Sequence, residues 1–276
     1  MRRLLTFISA TAAAAALAAA ATVAATANTE PAAGGAQSAT GMASCDSLMS
    51  LALPNTTITG ATLVEAGAFA PPGPRNERTA RTYGGLPQFC RVEATLTPSD
   101  DSDIKVEVWM PGADWNGKYQ AVGNGAFTGS IRHNSMAAAL ARGYAASSTD
   151  TGHEGNTASF GLGHPEKVID FGYRSIGEMT VMAKAAIEAY YGRAPEYTYW
   201  NGCSAGGRQA LKAAQRFPEH FDGIVAGAPG NDWTGRAGGA LRVAKPLEAN
   251  AAARPTPALR ALADGAGLEA GCSRPR

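Results

Sequence analysis

Between Tyr197 and Phe217 the chain reads YTYWNGCSAGGRQALKAAQRF, and this stretch limits the possible folds more than any other. Tyr197–Trp200 is aromatic and β-branched, as strands are. Gly207–Phe217 is a helix-forming run closed by Pro218. Between them, Gly202-Cys203-Ser204-Ala205-Gly206 fits G-x-S-x-G. A strand that turns into a helix so abruptly needs small residues around the turn, and it leaves the serine projecting from the end of a sheet. The pattern by itself is common, and its bland reading is an ordinary glycine-rich turn. The strand before it and the helix after it give it weight. Ser204 is therefore the candidate nucleophile. The backbone N–H of Ala205 is one candidate oxyanion donor, and the helix N-terminus favours negative charge developing there. A second donor belongs on the loop after an earlier strand. The loop GNGAFTG (123–129) fits, with Gly125 or Ala126 the candidates.

Other elements place this turn in a larger fold. Ile104, Val106, Val108 and Met110 alternate with Lys105, Glu107 and Trp109, the period of a half-buried strand. Lys118–Val122 reads as a strand running into GNGAFTG, and Asn134–Arg142 as a short helix stopped by Gly143. Tyr144–Ser148 reads as a strand ending in the loop TDTGH (149–153). Ser175–Tyr191 is the strongest helix: Ser175 and Glu178 have capping-box spacing, and Gly192 and Pro195 end it. Gly223–Ala226 reads as a small buried strand. Strands alternating with helices predict an α/β fold with a mainly parallel sheet and flanking helices. After Pro229 the pattern dissolves, apart from one helix at Pro257–Ala263.

The N-terminus carries a different message. Arg2 and Arg3 precede an apolar, alanine-rich run from Leu4 to about Ala21, and Ala25-Thr26-Ala27 follows. This is the pattern of a secretory signal peptide over residues 1–27, with an uncleaved anchor as its rival. Residues 28–43 have linker composition. The formal net charge is +1 and there is no basic run, which argues against nucleic acid as a partner. Nor does any later stretch suit a membrane span. The four cysteines, Cys45, Cys90, Cys203 and Cys272, show no C-x-x-C spacing, so an exported chain would use them for disulfides rather than metal.

The stretch from TDTGH through DFGYRSIGEMTVMAKAAIEAYYGRAPEYTYWNGCSAGGRQALKAAQRFPEHFDGIVAGAP (149–229) resembles the tannase/feruloyl esterase family. These are α/β-hydrolases that cleave esters of phenolic acids. The resemblance rests on Cys203 directly before Ser204 and on the GGRQ and FDGIVAGAP runs. It extends from about Cys45 to Pro229 and more loosely to the end. Two positions depart from it: Gly177, where His is more usual, and His220, where Asp is more usual. The resemblance implies that Cys45 pairs with Cys90. It further implies a lid after FDGIVAGAP, then a catalytic Asp and His, and a cysteine after that His bonded to the one beside the nucleophile. On this reading the triad Asp and His are not in the chain, Cys203 has its partner missing from the chain, and the sheet is incomplete at the C-terminus. The end, LADGAGLEAGCSRPR, resembles the entry to a lid calcium loop with Cys272-Ser273 in place of Cys-Asp. No cofactor is expected in the chain itself, the implied calcium site being absent from it. The expected layout is a catalytic-domain portion over 44–230 and the start of a truncated lid region over 231–276, a fragment or a shortened reading frame.

A serine nucleophile needs a base, and the histidines are His133, His153, His164 and His220. His220 lies past the helix that Ser204 opens, ~16 Å from its start. His153 follows a strand, but a structural hydrogen bond in its loop is the simpler role. His133 and His164 read as solvated loop residues. Asp150, Asp222 and Asp232 have turn or cap roles as their default. The four tryptophans, Trp109, Trp115, Trp200 and Trp233, read as core or rim. These expectations amount to a secreted or periplasmic serine esterase for feruloyl- or galloyl-type esters, working through an acyl-enzyme on Ser204. The alternative is a catalytically silent remnant of such an enzyme.

Overall fold

A computed structural model describes residues 42–73 and 76–262. The leader and linker readings fall almost wholly on residues 1–41, outside the described residues, as do Cys272 and the implied calcium loop. A seven-stranded sheet runs in the order β1-β2-β3-β5-β4-β6-β7. The strands are β1 (Thr56–Val64), β2 (Phe89–Leu96), β3 (Ile104–Pro111), β4 (Lys118–Val122), β5 (Ala145–Thr149), β6 (Tyr197–Cys203) and β7 (Gly223–Gly227). β1, β2 and β3 pair antiparallel, and β3 pairs antiparallel with β5. β5, β4, β6 and β7 are mutually parallel. Since β2 is reversed twice relative to β5, it also runs with the parallel set. The expected mainly parallel α/β sheet is therefore present.

The helices are α1 (Glu77–Tyr83), α2 (His133–Leu140), α3 (Pro165–Ile169), α4 (Ser175–Tyr191), α5 (Ala205–Arg216) and α6 (Trp233–Ala249). α4 buries Ile176, Met179, Met182, Ala183, Ala186 and Ile187 in the core on one side of the sheet, with Val92, Val108, Tyr119 and Trp200. α2 buries Met136, Ala137, Ala139 and Leu140 on the other side, against Phe89, Trp109 and Val122. Both faces of the central strands are thus covered, which is why Ala145–Thr149 is buried throughout.

β3 carries a carboxylate into the second core. Glu107 is buried and accepts hydrogen bonds from Arg91 Nε and Nη2, Trp109 Nε1 and His133 Nε2 at 2.7–3.1 Å. Burial alone would raise its pKa. The hydrogen bonds and charges of Arg91 and His133 outweigh burial and hold it at about 2. His133 is thereby tied to β3 at the start of α2, so its reading as a solvated loop residue is corrected.

Two further expectations change. Ser175 is not a cap: helical backbone continues into α4 from a π-helical turn at Asp170–Arg174, and Ser175 Oγ donates back to Asp170 O. After Pro229 the chain does not dissolve, because α6 forms there, capped by Asp232, whose Oδ1 accepts from Gly235 N. The helix expected at Pro257 is present through residue 262. A Cys45–Cys90 disulfide ties the first turn of the described chain to β2, as the resemblance implied.

Candidate active site

Residues at the ends of the parallel strands are held in conformations that L-residues avoid. β4 is followed by Ala126 at φ 47°, β5 by Thr151 at 66°, β6 by Ser204 at 60° and β7 by Ala228 at 35°. A positive φ is unusual for alanine or serine and a clear outlier for a β-branched threonine. Such strain persists only where surrounding contacts enforce it, and it gathers at functional sites. In an open α/β sheet these carboxyl ends are where ligands bind.

Ser204 caps α5 with φ 60° and ψ −115°, and it is exposed although its neighbours Ala205, Gly206 and Gly207 are buried. Its N–H donates to Gly227 O at 3.0 Å, fixing it to β7. Its carbonyl accepts from Arg208 N at 3.0 Å and from Gly230 N at 2.8 Å. Ala205 opens the helix, so its N–H has no acceptor within α5. The glycines around it are required by space. A Cβ on Gly202 would lie 2.5 Å from Gly206 C and O, and one on Gly207 would lie 2.3 Å from Gly227 O.

The loop GNGAFTG docks directly on this turn. Gly206 N donates to Asn124 O at 2.8 Å, and a Cβ on Gly123 would lie 2.4 Å from Gly206 Cα. Gln209 of α5 closes a clamp: its Oε1 accepts from Asn124 N at 2.8 Å and its Nε2 donates to Asn124 Oδ1 at 3.0 Å. Asn124 Nδ2 reaches on to Thr149 O and Ser130 O. Gly125 and Thr128 close a turn through Thr128 N to Gly125 O at 2.8 Å, and Ala126 at its tip is exposed. The candidate donors Gly125 and Ala126 thus lie on a loop fastened to the first turn of α5.

Residues 90–266 match the family model for tannase and feruloyl esterase. The chain belongs to that family. An uncharacterized esterase of Xanthomonas campestris pv. campestris is 46% identical over 198 residues, covering 71% of this chain and 33% of that protein. A probable feruloyl esterase B-1 of Aspergillus fumigatus is 41% identical over 142 residues, covering 51% and 27%. Among solved structures, feruloyl esterase B from Aspergillus oryzae superposes with a TM-score of 0.61 at 33% identity, covering 67% of this chain and 36% of that one. The chain spans about a third of the length of the relatives it matches. The α/β-hydrolase-type fold follows from these likenesses and from the sheet.

Within this family frame the remaining residues fall into place. Cys203, beside Ser204, is disulfide-bonded. The expectation that its partner is missing from the chain is therefore corrected, since an oxidised sulfur requires a second thiol. None of the four histidines hydrogen-bonds Ser204 among the described residues. His133 is on Glu107, and His164 Nδ1 faces Asp101 at 2.9 Å. His220 packs on Phe217 beyond the far end of α5. His153 is buried in the TDTGH loop, with Nε2 on Phe127 O at 2.7 Å. Among the described residues no set of three or more His, Cys, Asp or Glu side chains could hold a metal ion.

An aromatic wall borders the loop. Phe127 packs on Trp233 at 4.6 Å and Phe171 at 5.8 Å, and Phe160 joins Phe171 to His153. Phe171 is presented by the π-helical turn. Arg208 of α5 holds that turn through hydrogen bonds to Phe171 O and Gly172 O, and it lies over the Phe171 ring at 4.7 Å. The reading of the sequence missed Asn124, Gln209, Phe127 and Arg208 as site residues. Its only signal for them was membership of GNGAFTG and GGRQ.

Asp150 offers a pH-dependent test of the β5 end of the site. Its Oδ1 accepts from Lys105 N at 2.9 Å and Gly152 N at 2.8 Å. Burial pushes its carboxyl up to about 7 against the pull of those two bonds. The folded chain thus keeps a proton that the unfolded chain releases near pH 4. The associated stability is complete below about pH 4 and is lost as pH rises through about 7. Asp150→Asn retains an oxygen acceptor and cannot ionise. Its thermal midpoint relative to the parent should therefore rise between about pH 5 and about pH 8. An equal difference at both pH values would refute the assignment.

Proposed function

We propose that this chain carries the nucleophile and oxyanion machinery of an exported serine esterase for aromatic carboxylic esters of the feruloyl or galloyl type. The observation that supports this most strongly is Ser204: exposed, strained and placed at a sharp strand-to-helix turn in a member of an esterase family. Its Oγ attacks the ester carbonyl while a base takes its proton. Negative charge builds on the carbonyl oxygen, which the N–H of Ala205 and of Gly125 or Ala126 receive. The alcohol departs with a proton, leaving an acyl-serine that water then hydrolyses. The aromatic acyl group suits the wall of Phe127, Phe171 and Trp233. Export is supported by the leader pattern and by disulfide use. Among the described residues, no helix is long and apolar enough to cross a membrane.

The base is assigned to none of the four histidines, because each is engaged elsewhere. The 276-residue chain should therefore turn over methyl ferulate and methyl gallate slowly, below roughly 1 s⁻¹. Added imidazole supplies a diffusible base and should raise the release of 4-nitrophenol from 4-nitrophenyl ferulate about tenfold or more over the Ser204→Ala background. An imidazole effect equal in both proteins would count against Ser204 as the nucleophile.

A further inference from the structure

The loops after β4 and β5 are tied together, and the His153 side chain supplies one of the ties. Gly129 N donates to Gly155 O at 2.7 Å. A Cβ on Gly129 would lie 1.9 Å from His153 O, so the two backbones touch. His153 Nε2 faces Phe127 O at 2.7 Å. A carbonyl has no proton to give, so Nε2 carries the hydrogen and donates. Nδ1 faces Thr151 Oγ1 at 3.3 Å, and the Thr151 hydroxyl donates to Asp150 O at 2.6 Å. The ring is clamped by Phe160 stacked at 3.8 Å and by the edge of Phe171 at 5.7 Å. Thr151, two residues before His153, holds a φ of 66°.

Phe127 O belongs to the Phe127–Thr128 peptide, one beyond the exposed tip at Ala126, and the N–H of that peptide closes the turn. Gly125 O is already taken by Thr128 N. Fixing Phe127 O from the outside therefore fixes the rotation of the peptide planes within the turn. That sets where the N–H of Ala126 points, because it shares a peptide plane with Gly125 O; the N–H of Gly125 shares its plane with Asn124 O and is fixed by Gly206 N instead. On the Gly206 side the same loop is fixed by Asn124 and Gln209. His153 is its anchor on the other side.

We propose that His153 is a positioning residue for the oxyanion loop, setting the direction of the Ala126 N–H through the Nε2–H bond to Phe127 O. The proposal rests on the esterase reading above and gives His153 no part in proton transfer. Its two substitutions separate the roles. Glutamine places an amide N–H near the position of Nε2 and can keep the bond to Phe127 O, but it cannot act as a base. Alanine keeps neither.

The experiment measures Ser204-dependent acylation of the full chain by 4-nitrophenyl ferulate with imidazole present, for the parent, His153→Ala and His153→Gln. Amide hydrogen exchange over residues 125–129 is followed in the same samples. His153→Ala should lower the maximal rate about 10- to 100-fold, since a small misplacement of a donor is that costly, with KM changed by less than about threefold. Exchange at 125–129 should quicken while α4 stays protected. His153→Gln should recover the rate to within about fivefold and restore protection, with the parent's pH profile. A glutamine variant as inactive as alanine, or one that loses the acidic limb of the profile, would overturn the proposal in favour of a proton-transfer role. An alanine variant with parental rate and exchange would overturn it outright. If the parent itself shows no Ser204-dependent acylation, the esterase reading fails, and the exchange data alone decide whether His153 anchors the loop.

Discussion

Ser204→Ala is expected to remove the imidazole-accelerated acylation completely while leaving the fold intact. The alanine Cβ occupies the same strained position as the serine Cβ, and Ser204 Oγ serves no cap for α5. Its loss therefore removes chemistry without removing a structural hydrogen bond. Ser204→Gly is the informative companion. A φ of 60° with ψ −115° is costly for any residue with a Cβ, and strain of this kind is worth of order 1–3 kcal/mol. Glycine relieves it and gives back up to about 1 kcal/mol through greater freedom of the unfolded chain. The glycine variant should be inactive and more stable than the parent by about 1 kcal/mol. Equal or lower stability would mean that the turn is not strained in solution.

Gly123→Ala is expected to produce a large structural effect at the junction of the β4 loop and α5. Its Cβ would meet Gly206 Cα at 2.4 Å and Gly206 C at 3.1 Å, both backbone atoms that cannot rotate aside. The β4 loop and α5 would have to separate, breaking the Gly206 N to Asn124 O bond and the Asn124–Gln209 clamp. Overpacking costs about 1–3 kcal/mol, and leaving buried amide groups unpaired adds about 1–3 kcal/mol for each. The variant should unfold at markedly lower denaturant or fail to accumulate. Gly125→Ala is the control, because a Cβ there meets nothing within 4 Å. If both variants behave alike, close packing of the loop on α5 is not what the glycines provide.

The parts of this molecule that could be read from the sequence are those whose signal is local. Lys118–Val122 and Ser175–Tyr191 match their elements residue for residue, because period and end signals lie within one window. Ser204 was legible because strand, small residues and helix are contiguous. α6 was not, since WTGRAGGALRVAKPLEA holds three glycines and a proline and buries no face, so it has no apolar stripe to detect. β1 was missed for a related reason: it is an edge strand with a register shift between Ile58 and Gly60, which breaks its alternation. The capping-box spacing of Ser175 and Glu178 misled because the helix is entered through a π turn and Ser175 is buried within it. The clamps are invisible for a different reason. Asn124 meets Gln209 across 85 positions and His153 meets Phe127 across 26, and no single window contains both partners.

On the proposed reading Ser204 is the nucleophile, Ala205 and the loop 123–129 offer its oxyanion donors, and the described histidines do not supply its base. The most direct test is the intact mass of the full chain after incubation with 4-nitrophenyl ferulate, followed by peptide mapping. A single feruloyl increment should appear, localised to Ser204, forming faster with imidazole and persisting once imidazole is removed, because water then lacks a base to attack it. A folded chain that acquires no adduct at Ser204, or that clears the ester at more than roughly 1 s⁻¹ without imidazole, would contradict the account.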